Sequence, residues 1–220
     1  EQVTLHRPVS LGEQLAVSGS MLGTYWRDGR RYSVMVSRTT DARGAAVATS
    51  RSSGLLRYRR DAAPPADTAP PVQAEPVPDG TAARGNPHRD RIRALRTGET
   101  FDSGPIVVTL DMMRALAGGE ERNPIHTDEE AARQAGLPAP IAGGPHVLAF
   151  AMEMLMAALG TEALMHGALI DVRWVAPVAA GASIRPQATV AVAGSTAVGL
   201  DVGVLCDDRP AMVGRITIPL

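Results

Sequence analysis

The sequence predicts an α+β fold in which a curved antiparallel sheet wraps around one long buried helix. Three observations point to it. The stretch from Pro145 to Leu159 is apolar on nearly every helical face, as a buried helix must be. Four strand-like stretches follow it, the clearest placing Val198, Leu200, Val202, Val204 and Cys206 on one face and Gly199, Asp201 and Gly203 on the other. The phrase Pro-Val-x-x-Gly-x-x-aliphatic also occurs twice, at Pro8–Leu15 and Pro177–Ile184. Each copy precedes a strand, turn, strand, turn, strand succession, which points to two related halves.

In the first half, Tyr32, Val34 and Val36 repeat the period of two. Asp28-Gly29 and Asp41 to Gly44 stand where its hairpin turns belong, as Ala193-Gly194 and Asp207-Asp208 do in the second half. The halves are unequal upstream of the shared phrase. The second has everything from Phe101 to Ala176 before it, whereas the first has seven residues before Pro8 and reads as incomplete.

Between them, Asp61 to Pro87 is rich in Pro and Ala and poor in large apolar residues, so it reads as a linker lying over the surface without packing. The Arg-rich stretch His88 to Glu99 suits a short helix or a lead-in strand. The resulting division is 1–60 for the first half, 61–99 for the linker and 100–220 for the second half. In the long helix, Pro145 suits the first turn and Gly160 the position just past the end. Val147, Ala151, Met154, Leu155 and Ala158 form its main stripe, with Phe150, Met152 and Met156 on the remaining faces.

Composition removes several function classes. The 22 basic residues, all Arg, face 23 acidic ones for a formal net charge of −1. The absence of lysine excludes Schiff-base chemistry and a P-loop. The charge balance gives no electrostatic basis for binding nucleic acid or an anionic membrane, and 3% aromatic residues offer few stacking platforms. One cysteine, Cys206, forms no internal disulfide and suits a buried strand position. No apolar run reaches the roughly 20 residues of a membrane span, and the first residues do not resemble a signal peptide, so a reducing cytoplasm is expected. The five histidines are too scattered to argue for a metal, and no cofactor is called for.

Chemistry concentrates in Gly118 to Asp128, where Glu121, Asn123 and His126 fall within six residues. A short helix from Asp128 to Ala135 follows, with Thr127 or Asp128 as N-cap and Glu129 and Glu130 in its first turn. His126 lies just outside that helix, where its side chain can be aimed into a cleft and share a proton with a carboxylate five residues away. The same residues also suit a plain turn and a structural histidine. His6, His88 and His166 lack nearby acids, whereas His146, at the start of the long helix, can face the same cleft. Gly143-Gly144 offers backbone N–H groups at that helix start, able to hold an oxygen on which charge develops; a tight connection needing glycine is the alternative.

Glu121-x-Asn123-Pro124-Ile125-His126, then Ala131, Gly136-Leu137-Pro138 and Ile141-Ala142-Gly143-Gly144, resembles the MaoC-like (R)-specific enoyl-thioester hydratases and dehydratases. Ile170 to Gly181 resembles that family's strand entering the Pro-Val phrase. The first half resembles the non-catalytic N-terminal domain of double-hot-dog members, including those resembling mesaconyl-thioester hydratases. The resemblance implies a double hot dog with an acyl-thioester tunnel between the halves. It implies His126 as general base or acid, Asn123 as an orienting group, and Gly144 N–H as the polariser of the thioester carbonyl, with Gly143 and His146 lining the substrate site. Two positions depart from the family pattern: its Asp is Glu121 here, and the histidine of its His-Gly pair is Gly143.

The resemblance therefore implies hydration of trans-2-enoyl thioesters, or dehydration of (R)-3-hydroxyacyl thioesters, carried on CoA or acyl carrier protein. Conjugate addition of another nucleophile is a variant of the same chemistry. A non-catalytic acyl-thioester-binding or scaffold subunit and a thioesterase are the alternatives, since one fold hosts several activities. A homodimer, or pairing with a second hot-dog subunit, is the expected assembly.

Overall fold

The computed structural model describes residues 1–56, 63–72, 86–117 and 123–220. Ten strands join in one sheet, ordered β2-β3-β4-β1-β7-β10-β9-β8-β5, with β6 also pairing β8. The first half supplies β1 (Gln2–Leu5), β2 (Leu15–Arg27), β3 (Arg30–Asp41) and β4 (Ala46–Leu55). The second supplies β5 (Thr100–Asp102), β6 (Ile106–Val107), β7 (Leu169–Trp174), β8 (Ser183–Ala193), β9 (Ala197–Cys206) and β10 (Arg209–Pro219). The halves meet where β1 pairs antiparallel with β7, Val3 opposite Ile170. The sheet is curved and open, and the fold is the double hot dog that the resemblance implies.

The repeated phrase has a structural counterpart. Gly12 and Gly181, the same position in the two copies, adopt nearly the same left-handed torsion, φ +82° and +84°. Each glycine turns the chain into the first long strand of its half, β2 or β8. The tight hairpins fall where Asp28-Gly29 and Asp207-Asp208 place them. All four residues have positive φ, as a two-residue turn matching strand twist requires.

Helix α4 (Gly144–Leu159) lies against the second half's sheet. It buries Val147, Phe150, Ala151, Met154, Leu155 and Leu159 in one cluster with Ile170, Val190, Leu200, Val202, Ile216 and Ile218. Each of these side chains except Ala151 contributes about 1.5–3 kcal/mol when fully buried. The helix is not buried all round. Ala149, Glu153 and Ala157, four residues apart, form an exposed stripe, which keeps the Glu153 carboxylate in water. This stripe borders a groove of about 540 Å³ lined by Phe101, Ile106, Phe150 and Met154.

Pairing carries the core-facing side of the second half into the first through Val3, Ser50 and Ser37, whose hydroxyl lies 2.8 Å from that of Ser50. No described helix packs on that share of the face, and Val17, Met21 and Met35 remain exposed there.

The linker expectation falls partly outside the described residues, at 61–62 and 73–85. The described stretch 63–72 lies along the surface, largely exposed but hydrogen-bonded. Thr68 N–H donates to Trp26 O at 3.0 Å, Trp26 N–H to Thr68 Oγ1 at 2.9 Å, and Arg51 to Pro71 O at 2.8 Å. The Arg-rich stretch after it forms α1 (Arg89–Ala94), whose Ile92 is fully buried in the second half's core, with Leu95 beside it.

Gly160 ends α4 at φ +112°, ψ +144°, with the His88 ring against its Cα. That backbone region is essentially reserved for glycine. Gly160→Ala is therefore expected to lower unfolding free energy by about 1–3 kcal/mol in a denaturant titration, with the slope unchanged.

Candidate functional site

His126 closes a short 3-10 turn, Pro124–His126, and is followed by α3 (Glu129–Gln134). Pro124 fixes the start of the turn, and the Asp128 carboxylate caps α3 by accepting from Ala131 N–H at 2.7 Å. The far end of α3 closes by a Schellman motif. Gly136, at φ +83°, donates to Arg133 O, and Leu137 N–H donates to Ala132 O. Ala132, Leu137 and Ile141 then form a small core of their own, with Ile125 packed on it.

Ile141 brackets the histidine. Its N–H donates to Ile125 O at 3.2 Å, and its carbonyl accepts from His126 Nδ1 at 2.7 Å. The Ile141 segment is held in turn by the Pro-Val phrase. Ala142 N–H donates to Val178 O at 2.8 Å, and Ala180 N–H donates to Pro140 O at 2.9 Å. The repeated phrase thus supports the site in the second half.

A carbonyl can only accept, so the Ile141 contact places the imidazole proton on Nδ1 and leaves the Nε2 lone pair free to take a proton. The Asn123 side-chain nitrogen lies 3.3 Å from Nε2 and donates to that lone pair. Asn123 itself is exposed, and His126 is half-buried.

The imidazole adjoins the start of α4. A Cβ built on Gly143 would sit 3.9 Å from His126 Cε1 and 4.0 Å from Nε2. Gly143 is the N-cap of α4 and Gly144 its first residue, so their N–H groups have no acceptor within the helix and lie at the positive end of its dipole. Gly144 is packed hard against Trp174. A Cβ there would lie 2.5 Å from Trp174 Cε2, and the indole N–H donates to Gly144 O at 3.0 Å.

Among the sequence candidates, Asn123, His126 and Gly143 stand together with Gly144, whereas Glu121 lies outside the described residues. His146 is buried on α4, its ring stacked on Phe150 one turn later at 5.0 Å between centroids. Burial lowers its pKa by disfavouring the charged ring. It makes no hydrogen bond to Asn123 or His126 among the described residues. His166, read as lacking acids, has the Glu162 carboxylate 3.6 Å from Nε2, because a spacing of four brings the two together on one turn. Two participants were missed by the sequence reading. They are Ile141, which acts through its backbone, and Trp174, whose only signal was the inward alternation of Ile170, Val172 and Trp174.

Among the described residues, no group of three His, Cys, Asp or Glu side chains is placed to hold a metal, and no helix is long and apolar enough to cross a membrane.

No curated protein sequence matches the chain. Solved structures do. A MaoC-like dehydratase superposes with a TM-score of 0.74 at 19% identity, covering 99% of this chain and 73% of its own. A MaoC-like dehydratase from Phytophthora capsici gives 0.65 at 15% identity, over 100% and 69%. Full-length peroxisomal multifunctional enzyme type 2 from Drosophila melanogaster gives 0.64 at 16%, over 100% of this chain and 36% of that one. At these identities the likeness establishes the fold. The family model for the MaoC-like domain matches residues 94–199, a span that holds α2 (Leu110–Ala117), α3, α4 and the whole of the site. Over that span the chain is similar to the MaoC-like dehydratase domain family, on a hot-dog fold.

Proposed function

We propose that the chain catalyses reversible hydration of trans-2-enoyl thioesters, equivalently dehydration of (R)-3-hydroxyacyl thioesters, carried on CoA or acyl carrier protein. The observation that carries this reading is the unprotonated Nε2 of His126, met by the Asn123 amide, standing beside the Gly143–Gly144 helix start. In hydration, His126 Nε2 takes a proton from water as the water oxygen bonds to C3. The C2–C3 π electrons move toward the thioester carbonyl, and its oxygen gathers enolate charge. The N–H groups at the α4 start, Gly144 above all, stabilise that oxygen, and the protonated His126 then returns its proton to C2, which restores the neutral ring. Asn123 orients the water, and the Glu121 carboxylate accepts from the water's other hydrogen, holding it for attack. His146 shapes the wall beside Gly143. The scheme draws on no cofactor. A homodimer, or pairing with a second hot-dog subunit, is the assembly that goes with it.

The test is incubation with crotonyl-CoA, following loss of enoyl absorbance and the configuration of the product. Formation of (R)-3-hydroxybutyryl-CoA supports the reading. Saturable thioester binding without any loss of absorbance identifies a binding subunit instead, a reading that Gly143 favours by carrying no imidazole. Release of free CoA identifies a thioesterase.

Glu121→Gln keeps size and removes charge, and it is expected to lower turnover by about 10²-fold. Glu121→Asp separates two uses of the longer acid. Faster hydration means that Glu121 marks decay of an older hydratase site, whereas a slower native reaction means that the longer acid is fitted to a displaced water or another nucleophile.

A further inference from the structure

We infer that Trp174 is a positioning residue for the thioester-carbonyl site, acting through Gly144; this rests on the hydratase reading for its kinetic arm. Trp174 ends β7, the strand that joins the two halves, with Met212 of β10 opposite it. Its side chain packs on the main core cluster, so the ring is supported from behind. From there it fixes Gly144 in two ways. The ring lies so close that a Cβ at Gly144 would meet three of its atoms at 2.5, 2.7 and 2.9 Å, and the indole N–H holds Gly144 O at 3.0 Å.

Gly144 O belongs to the peptide bond with Pro145, and Gly144 N to the peptide bond with Gly143. With one peptide plane pinned by the indole and the Cα pressed on the ring, the direction of Gly144 N–H is set. A backbone donor serves a developing oxyanion only when aimed beforehand at its position. Two glycines and a proline cannot hold that aim alone, since glycine populates a wide range of torsions.

The test uses Trp174→Phe, which keeps an aromatic ring at this position while removing the N–H donor and one of the two fused rings, alongside Trp174→Leu. For crotonyl-CoA hydration the Phe variant is expected to lose about tenfold in kcat, with KM within about twofold and an unchanged pH profile. The Leu variant should lose about 10²-fold or more. Wild-type kcat in Trp174→Phe overturns the inference, as does a loss confined to KM.

A second readout does not need turnover. The chain has two tryptophans, so in a Trp26→Phe background Trp174 is the single reporter. Titration with butyryl-CoA, a saturated thioester that cannot be hydrated, should change its fluorescence saturably, while the affinity of Trp174→Phe measured by calorimetry stays within about twofold of wild type, as its KM does. If the wild type hydrates nothing but this response appears, the hydratase reading fails and the positioning role stands. A silent Trp174 under butyryl-CoA that calorimetry shows to be bound overturns the role.

Discussion

His126→Asn is expected to abolish most crotonyl-CoA hydration while leaving the fold nearly as stable as wild type. The reason is the division of labour between the two ring nitrogens. Nδ1 is structural, since its proton goes to Ile141 O at 2.7 Å and ties the 3-10 turn to the segment leading into α4. Nε2 is the chemical end, with a lone pair met by the exposed Asn123 amide. The Asn side-chain nitrogen falls close to the place of Nδ1, so His126→Asn keeps the bond to Ile141 and removes the base. Loss of general acid–base catalysis costs about 10²–10⁴-fold in turnover. His126→Ala removes both functions and should add a stability loss of about 1 kcal/mol for the missing hydrogen bond. Turnover by absorbance and the midpoint of thermal unfolding separate the two variants. Hydration unchanged in His126→Asn would remove His126 from the reaction.

Stability should also respond to pH through His146. Burial lowers its pKa below the ordinary 6.5, so the unfolded chain binds that proton more readily than the folded one. The contribution is absent above the unfolded value, and stability declines as pH falls through about 6.5 toward the lower folded value.

What the sequence revealed follows the range of the interactions. The strand Ala197–Cys206 was legible because alternation is a local signal, and Val198, Leu200, Val202 and Val204 are buried as the pattern requires. The Asp128 cap and the helix ended by Gly160 were legible because capping is written within a few residues. The paired halves were legible because Gly12 and Gly181 must each turn the chain by the same torsion, which preserved one phrase twice.

The missing parts are long-range. Nothing near Trp174 in sequence announces that its ring will lie beneath Gly144, thirty residues earlier. The Ile141 carbonyl carries no side-chain signature at all. The exposed Ala149, Glu153 and Ala157 stripe was hidden because alanine reads as apolar wherever it falls, although the lone Glu153 marked the face. The hold of residues 63–72 on β2 and β4 was hidden for the opposite reason. Its bonds run from Thr68 and Pro71 to backbone and Arg51, and composition sees only the prolines.

Gly144→Ala should lose function far more than its neighbour's equivalent change loses stability. At Gly143 an added methyl group meets only His126 and Pro145, at 3.9–4.0 Å, and φ is −62°, so the backbone accepts alanine without strain. Gly143→Ala is accordingly expected to stay within about 0.5 kcal/mol of wild-type stability. At Gly144 the methyl group would enter the Trp174 ring at 2.5 Å, a separation that carbon atoms do not tolerate. Either the indole is pushed out, breaking its bond to Gly144 O, or the first turn of α4 lifts away from β7. Overpacking of this kind costs about 1–3 kcal/mol. Both relaxations move the Gly143–Gly144 donors relative to His126 Nε2, and a displacement of about 1 Å costs on the order of 10²-fold in rate. The ring packs on the main core cluster, so the helix start is the side with room to yield. The loss should then fall on kcat for crotonyl-CoA and on affinity for butyryl-CoA together, because one set of donors serves both. Combining Gly144→Ala with Trp174→Leu makes room for the methyl group, so the double variant should regain stability relative to Gly144→Ala alone and recover no activity. Equal activity in Gly144→Ala and wild type would mean that the carbonyl is held somewhere other than the start of α4.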